Sequence, residues 1–122
     1  MKRQVVAGGM IALCASFAAA HDETQSSTGY PTIERVQFVE ACTREHPDRP
    51  HQEMLYKCSC AMDNIVTQLS YDDYVEASTA FFASQVAGER GVGVRESTVG
   101  RALAARYRAA YAAALKACLI TQ

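Results

Sequence analysis

Apolar residues recur at helical spacing along four stretches of the chain and nowhere alternate as a half-buried strand requires. In the first stretch Val36, Phe38, Val39 and Cys42 form an apolar side. Thr32 stands where a helix cap would sit, and Glu34 falls in the first turn, where the helix dipole favours an acid. Pro47 and Pro50 end this stretch, because proline lacks the amide donor and clashes with the preceding turn. From about Gln52 to Leu69, the residues Met54, Cys58, Met62, Ile65 and Leu69 advance by four, four, three and four, which lines one face. Ser70 opens the third stretch, with Asp73 three residues on as an imperfect capping box. Its buried stripe is Tyr71, Tyr74, Val75, Phe81 and Phe82, and it ends near Gly88. Gly88 to Glu96, "GERGVGVRE", has three glycines and no repeat, so a loop is expected there. Ser97 or Thr98 then caps a long alanine-rich helix whose inner face is Val99, Leu103, Tyr107, Ala110, Ala114 and Cys118. The pattern predicts an all-α, four-helix bundle without internal repeats.

The first twenty residues follow a different logic. Lys2 and Arg3 precede an apolar run from Val5 to Phe17, and Ala18-Ala19-Ala20 supplies a small-residue cleavage site. This is the pattern of a cleaved secretory signal peptide, and its apolar part is shorter than the ~20 residues a membrane span needs. Leu13 before Cys14 disfavours a lipoprotein. The reading divides the chain into a signal peptide (1–20), a polar flexible leader (21–31) and one helical domain (32–122), with a bacterial periplasm as its compartment. Loss of Lys2 and Arg3 leaves ten basic against thirteen acidic residues. With no basic stripe, nucleic-acid binding lacks its electrostatic footing, and no second apolar segment implies membrane insertion once the signal is removed.

Export also fixes how the cysteines read. Cys42, Cys58, Cys60 and Cys118 remain, an even number in a small chain bound for an oxidising compartment, which predicts two disulfides. Cys58 and Cys60 flank a single serine on a helix, so their side chains diverge by about 200°. They are poorly placed to bond each other or to chelate one ion, and well placed to reach two different helices. Two cross-helix pairings stay open. The core-facing stripes containing Cys58 and Cys118 favour Cys42–Cys60 with Cys58–Cys118. In an up-down bundle Cys118 would lie at the wrong end for any such bond, since the two Cα atoms must come within roughly 7 Å. Either the 88–96 segment crosses back along the bundle as a long crossover between helices three and four, or helix three packs obliquely.

Other candidate chemistry is weaker. The C-x-C pair beside Lys57 could serve thiol redox or soft Cu(I) binding. His21, His46 and His51 are the imidazoles a metal would need, yet their spacing dictates no ligand set, and they read as solvated loop residues. Glu89, Arg90, Arg95 and Glu96 form a charged set that a protein partner could contact. "GERGVGV" follows no strand, so it is not a phosphate loop. Asp72 and Asp73 sit in a first helical turn, where acids stabilise the dipole. Phe81, Phe82, Tyr107 and Tyr111 read as core, one face of which could line a small apolar groove. Nothing specifies a nucleophile, and no cofactor is implied.

The segments "FVEACTREHP", "YKCSCAMDNI", "LSYDDYVEAST" and "GERG" together resemble small exported proteobacterial proteins. These share a first-helix cysteine, a C-x-C at the second helix and a tyrosine-rich third helix. The resemblance spans Phe38 to Arg95, and K-C-S-C-A is its most specific part. It implies a setting alongside periplasmic quinoprotein alcohol oxidation and transfers no activity to individual residues. The functional expectation is a non-catalytic periplasmic accessory or protein-binding module, serving a periplasmic dehydrogenase or electron-transfer system. The alternatives are a redox or copper-handling protein and a carrier of a small apolar ligand.

Overall fold

The computed structural model describes residues 29–121. The expected signal peptide, His21 and most of the expected leader lie outside the described residues. Five helices follow in order: α1 (Thr32–Arg44), α2 (His51–Gln68), α3 (Tyr71–Gln85), α4 (Glu89–Glu96) and α5 (Thr98–Ala117). No strand occurs among the described residues.

The all-helical class agrees with the spacing, and the helix count needs correction. α4 occupies the segment read as a loop. Two of its eight residues, Gly91 and Gly93, are helix-weakening by about 1 kcal/mol each, so local propensity does not make it. Tertiary contacts do. α4 packs on both α3 and α5, and its Arg95 guanidinium donates to the carbonyls of Ser84 (3.1 Å), Val86 (2.7 Å) and Gly88 (3.0 Å). Those carbonyls lie at and just past the C-terminal end of α3, where a helix leaves acceptors without internal partners. Gly91 is buried, and a Cβ there would fall 2.2 Å from both the Val86 carbonyl oxygen and the Arg95 guanidinium.

The caps behave partly as expected. Ser70 Oγ accepts from the Asp73 amide at 3.2 Å, and Ser97 Oγ accepts from the Gly100 amide at 3.1 Å. At α1 the cap position belongs to Pro31, not Thr32, and no side chain bonds the free amides. Proline's fixed φ suits the entry, and Thr32 becomes the first helical residue. α5 ends in a Schellman turn: the Ile120 amide bonds the Leu115 carbonyl (2.9 Å) and the Leu119 amide bonds the Lys116 carbonyl (3.3 Å). Leu119 closes it at φ 56°, a left-handed position usually given to glycine.

The predicted stripe of α2 is buried throughout, from Met54 to Leu69, and forms the centre of the core with Phe38, Cys42, Tyr74, Tyr107, Ala114 and Ile120. Elsewhere the apolar positions were over-assigned to the core: Val36, Val75, Phe82 and Val99 are exposed. Tyr30, placed by the sequence reading in the leader, belongs to the core. Tyr30 is 0% exposed; its hydroxyl donates to the Leu69 carbonyl at 3.0 Å, and its ring meets Tyr71 at 5.2 Å. An aromatic body with one hydrogen-bonding tip can close a core from an otherwise polar segment.

The topology resolves the problem of the ends. α1 packs on α2, α3 on α5, and α5 also on α2. Asp73 and Tyr74 at the start of α3 meet Arg106 and Tyr107, whereas Ser84 and Gln85 at its end share a cleft with Arg101 and Ala104, so α3 and α5 are antiparallel. The last turn of α5 reaches Cys60 and Lys57 of α2. α3 therefore leads away from α2 through the extended residue Leu69, and the twenty-residue α5, about 30 Å long, spans both. No long crossover is used. Residues 89–96 turn the chain locally as α4, and Gly100 lets α5 start against it, where a Cβ would lie 2.7 Å from the Val94 carbonyl oxygen.

Candidate functional site

The C-x-C pair is fully engaged in disulfides. Cys42 bonds Cys58 and Cys60 bonds Cys118, each with Cα atoms 5.9 Å apart. The divergence of Cys58 and Cys60 toward different helices agrees with the spacing argument. The favoured pairing, Cys42–Cys60 with Cys58–Cys118, is overturned. Cys58 faces α1 and is completely buried. Cys118 is not a helical residue: it caps α5 at φ −97° and ψ 15°, so extending the helical stripe of Tyr107 and Ala114 to it misplaces its side chain. With all four thiols bonded, neither cysteine of the pair presents a thiolate.

The other sequence candidates do not converge. His46 is half-buried and His51 exposed, and among the described residues no group of three histidine, cysteine, aspartate or glutamate side chains could hold a metal ion. Glu89, Arg90, Arg95 and Glu96 are all exposed, with Arg95 committed to the carbonyls beyond α3. No described helix is long and apolar enough to cross a membrane.

What the fold does assemble is a groove between α1 and the α3/α5 pair. Its α1 wall is Glu34, Gln37, Phe38, Ala41, Cys42 and Glu45, a run spaced three, one, three, one and three that keeps one helical face. The opposite wall is Tyr74, Phe81 and Phe82 from α3 with Tyr107 and Tyr111 from α5. The cavity measures about 330 Å³. α1 rests on α2, held there by the Cys42–Cys58 bond and by the Arg35–Asp63 ion pair, and it does not close against α3. The groove is the space this leaves.

Tyr107 is the hub of the ring cluster. Its centroid lies 5.1 Å from Phe81, 5.7 Å from Phe82, 5.9 Å from Tyr74 and 6.0 Å from Tyr111, with the last pair stacked. Phe38 meets Tyr111 at 5.9 Å from the α1 side. The Tyr111 hydroxyl donates to Glu45 at 2.7 Å, joining the two walls at one end. Burial, followed by the charge of Glu34, pushes the Tyr74 phenol up to about 12. Burial and then Glu45 raise Tyr111 as well. These phenols stay neutral across the physiological range and offer hydroxyls and ring faces, not charge. Phe82 is 59% exposed at the rim, although a large apolar side chain gains free energy by leaving water.

The rings were visible in the sequence as core candidates. The polar half of the α1 wall was missed, although Glu34, Gln37, Ala41 and Glu45 share the helical phase of Phe38 and Cys42. A scan of family models and searches of curated proteins and of solved structures each find no match for the chain.

Proposed function

We propose that this protein is a non-catalytic binding module of an oxidising, extracytoplasmic compartment, and that the aromatic groove is its binding surface. The observation that carries this reading is the open groove of six rings, with Phe82 standing more than half exposed at its edge. Its volume lies at the lower end of the range for small-molecule sites, about 300–1,000 Å³. Two disulfides in so short a chain favour an exported protein, in keeping with the signal-like first twenty residues. The resemblance to exported C-x-C proteins suggests the periplasm, and an accessory role beside a dehydrogenase or electron-transfer system, as the setting. The bonding of Cys58 and Cys60 to different helices speaks against thiol redox or copper handling.

The test is a titration of isotope-labelled, oxidised protein with a panel of neutral, anionic and cationic amphipathic molecules and with concentrated periplasmic extract. Resonances of Phe81, Phe82, Tyr107 and Tyr111 should move first, and Phe82→Ser should abolish the effect. Perturbations confined to other surfaces would remove the groove from consideration. Two reactive thiols in the oxidised, folded protein would return the redox reading to first place.

A further inference from the structure

We infer that the groove takes a small organic cation bearing a methylated, quaternary ammonium group, an inference that rests on the groove being the binding surface. Charge gives the first argument. Glu34 of α1 and Glu45, its C-terminal capping residue, lie at its two ends, eleven residues apart and so about 16 Å along the axis at about 1.5 Å per residue. No lysine or arginine lines the groove, so the charged side chains of its own lining are two carboxylates on an otherwise apolar slot. A neutral apolar occupant would leave those carboxylates unmatched, and an anion would be repelled.

The rings give the second argument. An aromatic face carries negative charge density and attracts a cation within about 6 Å of its centroid. Phe81, Phe82 and Tyr107 form a group with centroids 5.1–5.7 Å apart. Phe81 and Phe82 are inclined at 70°, Phe82 and Tyr107 at 54° and Phe81 and Tyr107 at 35°, so the three rings pack against one another without forming one parallel stack, and their faces point in more than one direction. Phe81 already attracts a cation: the Arg108 guanidinium sits 5.7 Å from its centroid. Arg108 belongs to the adjoining cleft with Arg95 and Arg101, not to the groove.

Hydrogen-bond capacity selects among cations. A primary ammonium carries three N–H donors, each of which would need an acceptor on leaving water. Between its two glutamates the groove offers ring faces, the Gln37 amide and phenol hydroxyls, with that of Tyr111 already committed to Glu45, so acceptors for three N–H groups at one point are few. A quaternary ammonium has no N–H to satisfy, and its methyl groups gain by burial against the rings.

The probe is choline, compared with 3,3-dimethylbutan-1-ol, which has the same shape without the charge, and with ethanolamine, which has the charge without the methyl groups. Choline should shift the groove resonances and bind at least about tenfold more tightly than either analogue. Glu34→Gln combined with Glu45→Gln should weaken choline by about tenfold, as should Phe82→Ala, with helical content and a cooperative unfolding transition retained. If the neutral alcohol binds as well as choline, the cation proposal fails while the groove stands as a binding surface. Choline leaving the groove resonances unmoved likewise overturns it, and the broader panel then decides the function separately. Ethanolamine matching choline would overturn the preference for a methylated group.

Discussion

At the end of the molecule where α1, α2 and the last turns of α5 meet, two disulfides tie α2 to α1 and to the end of α5. The buried residues of α5 there are Ala110, Ala114 and Leu115, and an alanine removes far less surface from water than a leucine or an aromatic. At the opposite end α3, α4 and the first half of α5 contain no cysteine. They are held by the rings around Tyr107, by the Ser70 and Ser97 caps and by Arg95 on the carbonyls beyond α3. The difference shows where each kind of joint is useful. Covalent links fasten the end where the buried face of α5 is largely alanine, and aromatic packing serves where a groove must be shaped, because rings can form a stable wall while keeping a face open.

The strongest way to break this comparison is to cut the staples. Cys60→Ala with Cys118→Ala opens a link spanning 58 residues and should lower stability by about 4 kcal/mol; Cys42→Ala with Cys58→Ala opens one spanning 16 and should cost about 3 kcal/mol. Urea unfolding measures both, and amide exchange should show the earlier loss of protection in α1 and the end of α5, not in α3. Equal loss of protection at both ends would mean the two regions are one cooperative unit.

The unstapled end is probed by Gly91→Ala. The added methyl meets the Val86 carbonyl and the Arg95 guanidinium, so about 1–3 kcal/mol should be lost, in the usual range for overpacking. Far-ultraviolet dichroism should report a loss confined to about two turns of helix, and an unchanged midpoint would show that α4 is not locked by this contact.

A smaller effect of opposite sign tests the stapled end. Leu119 is 76% exposed in a left-handed conformation, so Leu119→Gly should stabilise by about 0.5–1 kcal/mol, read as a rise in the urea midpoint. A fall would mean that the leucine side chain contributes more than its exposure implies.

The smallest prediction concerns pH. Hydrogen bonds from Arg106 and then Ser70 hold the Asp73 carboxyl below the ordinary aspartate value. Its folded pKa is the lower one, so its contribution is complete above the ordinary value and disappears as pH falls through the folded one. Asp73→Asn should flatten the stability curve in that acid range and lower neutral stability by the same amount, which is small because the pair is exposed. An identical acid slope in the variant would remove the Arg106 link from the account.

The parts legible in the sequence share one property: each is settled within a few residues. The α2 stripe, the serine caps and the opposed directions of Cys58 and Cys60 follow from helical geometry alone. The errors involve contacts between separate elements, whether near in the chain or far. α4 exists because carbonyls of α3 and the side of α5 lie within reach of "ERGVGVRE". Tyr30 is core because Leu69 and Tyr71 come to meet it. A small apolar groove beside the rings was foreseen, but its α1 wall was not, because only the position of α3 and α5 turns the face carrying Glu34 and Glu45 into a wall.

By itself, then, the sequence determined that this chain is helical and that its paired cysteines bind it to two separate neighbours, since backbone periodicity and side-chain direction are local properties. Which cysteine meets which, where α3 goes after Leu69, and whether the rings fill a core or line a slot were decided by tertiary structure. The reason is that each depends on the relative placement of whole helices, set by the sum of many contacts between residues distant in the chain.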